Sequence, residues 1–177
     1  MAEANDRRDF MGKVLGGFTA LGGLGALYAV KRTWDPLPSV KAAGFTTIDL
    51  SKAPDGELVT EMWRGKPIFI LKQTDAMLKG LSEESKKRLI KVGDAYFTIT
   101  VGLCTHLGCI PGYRPDKKDF LCACHGGVYD ASANVTKAPP PRGLDIPPFK
   151  LEGTKIVLGE EGPEYKKLLA DGLTMPV

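Results

Sequence analysis

Two short segments of the sequence hold every cysteine and every histidine of the chain. They are CTHLGC, residues 104–109, and LCACHGG, residues 121–127. Thiolate and imidazole groups are the side chains that bind zinc, copper and iron–sulfur centres in proteins. Because such ligands occur nowhere else in the 177 residues, we expect the fold to bring the two segments together around one metal centre.

Each segment offers one thiolate and one imidazole at close spacing. The candidate ligands are Cys104 with His106, as C-x-H, and Cys122 with His125, as C-x-x-H. Cys109 and Cys124 are left over, one in each segment. If they are spare, they are placed to bridge the segments, and such a disulfide requires an oxidising compartment.

Two kinds of metal centre suit this ligand set. Tetrahedral Zn²⁺ accepts two cysteines and two histidines, although C-x-H is unlike the usual spacing of zinc ligands. A binuclear iron cluster is the alternative, in which one iron takes both cysteines and the other takes both histidines. The ligand types alone leave both possibilities open.

Longer stretches of the sequence resemble the Rieske subunits of cytochrome bc1 complexes. CTHLGC…CACHGG resembles the Rieske signature C-T-H-L-G-C…C-P-C-H-G-S. WRGKPIFI, residues 63–70, resembles the segment that precedes this signature, and YDASANVTKAPPPRGLDIPPF, residues 129–149, resembles the segment that follows it. The similarity extends over most of the region after residue 45.

The resemblance implies a mostly β fold. The head would be an antiparallel Rieske-type β-sandwich with a cluster-binding subdomain, preceded by one N-terminal transmembrane helix. One [2Fe–2S] cluster of Rieske type would be bound per subunit. Cys104 and Cys122 would ligate the inner iron, and His106 and His125 would ligate the outer iron and accept the proton and electron from quinol.

The resemblance also assigns residues around the cluster. They are a disulfide between Cys109 and Cys124, Leu107 at an exposed tip near the quinol, Tyr129 with its hydroxyl on a ligand sulfur, and a covering loop of Pro139, Pro140 and Pro141. Independently of the family, Tyr129 could be only a core aromatic residue, and the prolines only a stiff connection.

Two positions depart from the family signature. Ala123 stands in place of the usual proline, which leaves its loop less constrained. Gly127 stands where many relatives carry a serine whose hydroxyl donates to a bridging sulfide. Hydrogen bonds to sulfur help to set the cluster potential, so Gly127 predicts a lower potential and a preference for menaquinol over ubiquinol.

The resemblance implies electron transfer from quinol to a c-type cytochrome. The chain would be the Rieske subunit of a dimeric, proton-translocating quinol:cytochrome c oxidoreductase that also contains cytochrome b. Two alternatives remain, the Rieske small subunit of a periplasmic molybdenum oxidase of the arsenite-oxidase type and a zinc-stabilised module without redox function.

The net charge of +3, without a basic stripe, argues against a nucleic-acid partner.

The N-terminal region has the composition of a membrane anchor. The seventeen positions 14–30 carry no charge and are bounded by Lys13 and Lys31. A membrane-spanning helix needs ~20 apolar residues, with a lower limit of ~17. RRDFM, residues 7–11, resembles a twin-arginine export signal, and ALYAVKR, residues 26–32, is a poor cleavage site. We therefore expect a retained single-pass anchor in a bacterial inner membrane, with the head in the periplasm.

The order of segments predicts three parts, which are an anchor at 1–32, a flexible tether at 33–45 and a Rieske head at 46–177. Residues 101–143 would bind the cluster. In the tether, Pro36 and Pro38 favour extended backbone. Strand-like patterns cover 58–63, 67–72, 95–101 and the two sides of a turn at 153–154, whereas 75–92 and 163–172 are helical in character.

Overall fold

The computed structural model describes residues 2–42 and 44–175. Its contacts divide the chain into two compact units, Met1–Lys41 and Ala42–Val177. The first unit contains helix α1 (Ala2–Trp34) and most of the short helix α2 (Pro38–Ala42). The second unit contains all of the strands that the described residues form, and it holds both segments that are rich in cysteine and histidine.

The N-terminal helix has the properties of a membrane anchor. Within the described part of the chain, one stretch, Asp6–Val40, which takes in most of α1, is long and apolar enough to span a membrane. Its most apolar window of 18 residues has a mean hydropathy of 1.3, and none of that window is buried. Its large side chains, such as Phe18, Leu21 and Leu24, are exposed. This result agrees with the anchor that the sequence predicts.

The backbone after α1 differs from the sequence prediction. Helix α1 ends at Trp34, because the residue that precedes Pro36 is disfavoured in a helix. Pro38 was expected to keep the chain extended, and that expectation is wrong, since Pro38 is the first residue of α2. A proline is tolerated in the first turn of a helix, where its missing N–H would have no partner in any case.

Three antiparallel sheets build the second unit. In chain order, the strands are β1 (Thr46–Asp49), β2 (Leu58–Trp63), β3 (Lys66–Lys72), β4 (Ile90–Val92), β5 (Ala95–Val101), β6 (Gly112–Arg114), β7 (Asp119–Cys122), β8 (Gly127–Asp130), β9 (Val135–Lys137), β10 (Phe149–Glu152) and β11 (Lys155–Leu158). The sheet orders are β1-β11-β10, β2-β3-β5-β4 and β6-β7-β8-β9. This architecture confirms the prediction of a mostly β, antiparallel fold.

The middle sheet lies between two hydrophobic cores. Successive side chains of a strand point to opposite faces, and β3 buries both of its faces. Ile68 and Ile70 enter a core shared with the β1-β11-β10 sheet, whereas Phe69 and Leu71 enter a core shared with the β6-β7-β8-β9 sheet. The second core also contains Cys104 and Cys122, so the candidate ligands rest on packed side chains.

The segment 75–92 was predicted to be helical throughout, and the structure corrects this. It forms α3 (Asp75–Gly80) and α4 (Glu83–Lys86) and then enters β4. Ser82 caps α4, because its hydroxyl accepts from the backbone N–H of Ser85 at 3.1 Å. Long-range hydrogen bonds also tie this segment to distant parts of the chain. The Ser85 hydroxyl donates to Asp130 at 2.5 Å, and the buried Arg88 guanidinium donates to the carbonyl of Leu144.

The C-terminal part follows the sequence prediction. Strands β10 and β11 form a hairpin whose turn contains Gly153, with φ of +64°. Helix α5 (Pro163–Ala170) then packs against β10 and contributes Tyr165 and Leu168 to the first core.

Candidate metal centre

Two loops bring the cysteines and histidines together. Loop 1, residues 103–111, follows β5 and leads into β6. Loop 2, residues 123–126, connects β7 to β8. The strands that flank loop 2 form an antiparallel hairpin, in which Cys122 lies opposite Gly127. This pairing, which was not predicted from the sequence, fixes where loop 2 begins and ends.

The backbone folds in the same way around Cys104 and Cys122. The N–H of Gly108 donates to the carbonyl of Cys104 at 2.8 Å, and the N–H of Gly126 donates to the carbonyl of Cys122 at 2.9 Å. Both glycines have positive φ, +80° and +74°, a conformation that costs glycine little. A shared C-x-x-x-G pattern in the two segments is the sequence signal for this common turn.

The two thiols that remain free are both buried. Cys104 is 4% exposed and Cys122 is 2% exposed. Each sulfur accepts two backbone N–H groups from its own loop, from His106 and Leu107 at Cys104 and from Cys124 and His125 at Cys122. Such donors stabilise a thiolate, which is the form that binds metal. At Cys122, burial and the hydrogen bond with Cys104 outweigh them and raise the pKa of the thiol.

The imidazoles of His106 and His125 lie side by side. Their ring centroids are 4.7 Å apart, and the ring planes are perpendicular. The Nδ1 atom of His106 is buried and has no hydrogen-bond partner among the described residues. A buried polar atom without a partner is costly, and a metal ligated at Nδ1 would remove that cost. The donor set therefore fits a metal centre with mixed cysteine and histidine ligands.

A disulfide between Cys109 and Cys124 joins the two loops, with a Cα–Cα distance of 6.8 Å. The sulfurs of Cys109, Cys122 and Cys124 lie within 4.8 Å of one another. Because two of these sulfurs are bonded to each other, Cys122 alone of the three remains a free ligand. Loop 1 is closed further by the N–H of Cys104, which donates to the carbonyl of Cys109 at 2.7 Å.

Tyr129 supports loop 1 from the core. Its hydroxyl donates to the Cys104 sulfur at 3.1 Å and accepts from the backbone N–H of Thr105 at 3.2 Å. Burial, together with the bond to Cys104, raises the pKa of Tyr129 to about 12, so the hydroxyl keeps its proton. Burial acts to raise the pKa of the Cys104 thiol, but the Tyr129 hydroxyl and backbone N–H groups outweigh it and lower this pKa.

A proline-rich loop, residues 138–145, covers the same region. The hydroxyl of Thr105 donates to the carbonyl of Arg142 at 2.7 Å, and the Arg142 guanidinium forms two bonds to Asp145, at 3.2 and 2.8 Å. Pro140 is buried, whereas Pro139 and Pro141 are exposed. Neither Thr105 nor Arg142 was predicted from the sequence to support the site, although Thr105 lies inside the signature motif.

Apolar side chains project from loop 1 at the surface. Leu107 is 71% exposed and Ile110 is 63% exposed. His125 is also exposed, and His106 is half-buried. The exposure of Leu107 matches its predicted place at a tip, and Ile110 is an addition that the motif did not suggest.

These features define a metal site with mixed cysteine and histidine ligands, and comparison with known proteins assigns its family. Residues 48–150 match the Rieske [2Fe-2S] domain family. The ubiquinol-cytochrome c reductase iron-sulfur subunit of Bradyrhizobium diazoefficiens is 34% identical over 89% of this chain and 97% of its own length. The subunit of the same name from Blastochloris viridis is 35% identical over 89% of this chain and 94% of its own length.

A solved structure agrees with the sequence comparisons. A chain of a hyperthermophilic respiratory Complex III is 39% identical, with a TM-score of 0.57, and the match covers 80% of this chain and 96% of that one. The chain belongs to the Rieske [2Fe–2S] family, in the group of ubiquinol-cytochrome c reductase iron-sulfur subunits. Its cofactor is a Rieske-type [2Fe–2S] cluster.

Proposed function

We propose that Cys104, Cys122, His106 and His125 hold the [2Fe–2S] cluster. The cysteines would bind the inner iron, because both thiols are buried and receive backbone N–H groups. The histidines would bind the outer iron, since their rings lie closer to solvent. The observation that carries this proposal is the buried Nδ1 atom of His106, which has no partner among the described residues.

With this cluster, the chain acts as the electron carrier of a quinol:cytochrome c oxidoreductase. The relatives are named as iron-sulfur subunits of ubiquinol-cytochrome c reductase, and the structural neighbour belongs to a respiratory Complex III. When bound, the cluster accepts and releases one electron at a time. Its partners are cytochrome b and a c-type cytochrome, in a dimeric complex that translocates protons.

The two histidines receive the proton of the quinol. With Nδ1 of His106 turned inward, its Nε2 is the nitrogen left to meet a substrate. A neutral imidazole accepts a proton near physiological pH. Leu107 and Ile110 flank the histidines with exposed apolar surface, which suits contact with the ring of a quinol in a membrane-embedded partner.

The head works from an anchor in a bacterial inner membrane. Residues 1–32 are the anchor, 33–45 the tether and 46–177 the head, with 101–143 binding the cluster. The RRDFM motif at residues 7–11 supports twin-arginine export, which places the head in the periplasm. A disulfide persists in that compartment, and the tether lets the head move between its two cytochromes.

Menaquinol is the proposed electron donor, although the relatives are named for ubiquinol. Gly127 cannot donate a hydrogen bond to the cluster as a serine would. A hydrogen bond to a charged group is worth roughly 1.5–3 kcal/mol, and about 59 mV of one-electron potential corresponds to 1.4 kcal/mol. The cluster potential would therefore be on the order of 100 mV below that of a serine-bearing relative. Tyr129 keeps its own bond to Cys104, so this decrease is partial.

Redox titration of the purified membrane complex at several pH values tests this function. Reduction with dithionite should give a Rieske-type EPR signal, with a midpoint low enough for menaquinol, and menaquinol should reduce the bound cytochrome. A colourless, zinc-containing head would support the zinc module instead. Co-purification with a molybdenum subunit would support the oxidase alternative.

A further inference from the structure

Gly127 and Pro140 approach each other unusually closely. A Cβ atom built on Gly127 would lie 2.6 Å from both Cγ and Cδ of Pro140, and 3.6 Å from Cδ of Pro139. Gly127 and Pro140 are both buried. Contacts below 3 Å between carbon atoms are repulsive, because carbon pairs pack best at about 3.5–4.0 Å. Any side chain at position 127 would therefore collide with the Pro140 ring.

Space, rather than backbone conformation, explains the glycine at 127. Gly126 has φ of +74° and open space around its Cα, so its conformation favours glycine there. Gly127 is a strand residue without a positive φ. Its backbone would accept any L-residue, and only the ring of Pro140 stands in the way.

The proline-rich loop is held on both sides of Pro140. Before it, β9 pairs with β8. After it, Thr105 donates to the carbonyl of Arg142 at 2.7 Å, and the N–H of Leu144 donates to the carbonyl of Ala133 at 2.9 Å. The loop therefore cannot yield to a larger residue at position 127 without losing bonds on one side.

We infer that Pro140 is a specificity-determining residue, because its ring fills the volume of a side chain at position 127 and so excludes a hydroxyl donor from the strand position opposite Cys122. Hydrogen bonds to the sulfurs help to set the potential of iron–sulfur clusters. The low potential then depends on the Gly127–Pro140 pair and not on Gly127 alone. This inference rests on the proposed ligand set, since it requires Cys122 to bind the cluster.

Double-mutant cycles on the full-length, cluster-loaded protein test the packing. Gly127→Ala should lower the Tm by roughly 3–10 °C, because overpacking a filled site is destabilising and a chain of this size converts that cost into several degrees. In a Pro140→Ala background, the same Gly127→Ala change should lower the Tm by less than half as much. Pro141→Ala is the matched control, since it removes an exposed ring of the same loop and should leave the effect of Gly127→Ala undiminished.

The same backgrounds test the link to potential. With Pro140→Ala present, Gly127→Ser should have a higher EPR-monitored midpoint than Gly127→Ala, because the two residues differ only by the hydroxyl. With Pro140 intact, Gly127→Ser should lower both the Tm and the cluster occupancy. Its midpoint should not rise above that of the wild-type protein.

Several outcomes overturn the inference. One is a Tm unchanged by Gly127→Ala, and another is a loss equal in both Pro140 backgrounds. A third is a double variant that fails to fold, and a fourth is equal midpoints for Gly127→Ser and Gly127→Ala in the Pro140→Ala background. Failure of the proposed function looks different, since a wild-type protein without a Rieske EPR signal would remove the cluster assignment while the Tm coupling persisted.

Discussion

Loops 1 and 2 share a backbone plan and differ in what holds them. Cys104 in loop 1 and Cys122 at the end of β7 are each followed four residues later by a glycine of positive φ, and each cysteine sulfur accepts two backbone N–H groups. Loop 1 is also tied to the core, because Tyr129 donates to Cys104 and Thr105 donates to the carbonyl of Arg142. No side-chain hydroxyl among the described residues donates to the sulfur of Cys122 in the same way.

Loop 2 depends instead on its neighbours. Cys124 and His125 are exposed, and the disulfide to Cys109 ties them to loop 1. Pro140 covers the strand residue that follows loop 2. The difference shows that the core fixes loop 1 directly, while the β7–β8 hairpin, the disulfide to loop 1 and the covering Pro140 hold loop 2.

The largest effect should come from removing a ligand, and here the two loops should behave alike. His106→Ala in loop 1 and Cys122→Ala beside loop 2 should each abolish the reduced-state EPR signal, because a [2Fe–2S] cluster of this type needs all four ligands. Ile110→Ala, at an exposed residue of loop 1 that is not a ligand, should keep the signal. An intact cluster in His106→Ala would show that the ligand assignment is wrong.

The next largest effect should follow loss of the disulfide. The bond closes an interval of 15 residues, and loop-closure entropy gives about 3 kcal/mol for a loop of that length. Cys109→Ser should lower the Tm and lose much of the cluster on purification, with a lowered midpoint in the remainder.

A double variant provides the control for the disulfide. Cys109→Ser combined with Cys124→Ser should be no worse than either single change, because all three remove the same bond. Full occupancy and an unchanged midpoint in Cys109→Ser would mean that loop 2 is held without the disulfide.

Removing the hydroxyl of Tyr129 tests the additional support of loop 1. Tyr129→Phe deletes the hydrogen bond to Cys104. That bond would stabilise the reduced cluster, which carries more negative charge than the oxidised one. We expect the midpoint to fall by roughly 60–130 mV, from the value of a hydrogen bond to a charged group and the conversion of about 59 mV per tenfold change. Tyr113→Phe is the control, since its hydroxyl donates to the carbonyl of Gly56 at 3.2 Å. Equal shifts in both variants would contradict a specific role for Tyr129.

Local chemistry in the sequence predicted the candidate ligands, and the family resemblance supplied the expected places of Leu107, Tyr129 and the proline-rich loop. Ligand spacing and strand alternation are patterns of only a few neighbouring residues. They can therefore be recognised in the sequence, as at β2, β3 and β5. The twofold burial of β3 also leaves a local trace, because a strand covered on both faces has a continuous apolar run, as in PIFIL.

Contacts between distant residues explain what the sequence did not show. The helical pattern of 75–92 ends after α4, where Arg88 bonds the carbonyl of Leu144, 56 residues away, and the chain enters β4. Likewise, Gly127 suggested a missing donor, but nothing in its own segment indicated the ring of Pro140. Such pairings depend on the folded chain, so propensity and spacing do not predict them.

The smallest expected effect concerns the constraint within loop 2. Ala123 stands where the family signature has a proline, and its side chain is exposed. The N–H groups that reach the Cys122 sulfur come from Cys124 and His125, so a proline at 123 would keep both donors. Ala123→Pro should stabilise the head by about 0.4–1 kcal/mol, because it restricts the unfolded chain, and raise the Tm by roughly 1–4 °C. The midpoint should stay unchanged, since no bond to sulfur is altered.

Ala138→Pro, at the exposed residue that precedes Pro139, serves as a comparison outside loop 2. It should not reproduce the gain, because the residue before a proline is already restricted in the unfolded chain. A lower Tm in Ala123→Pro would show that loop 2 needs the N–H of Ala123, and that its backbone differs from that of relatives which carry the proline.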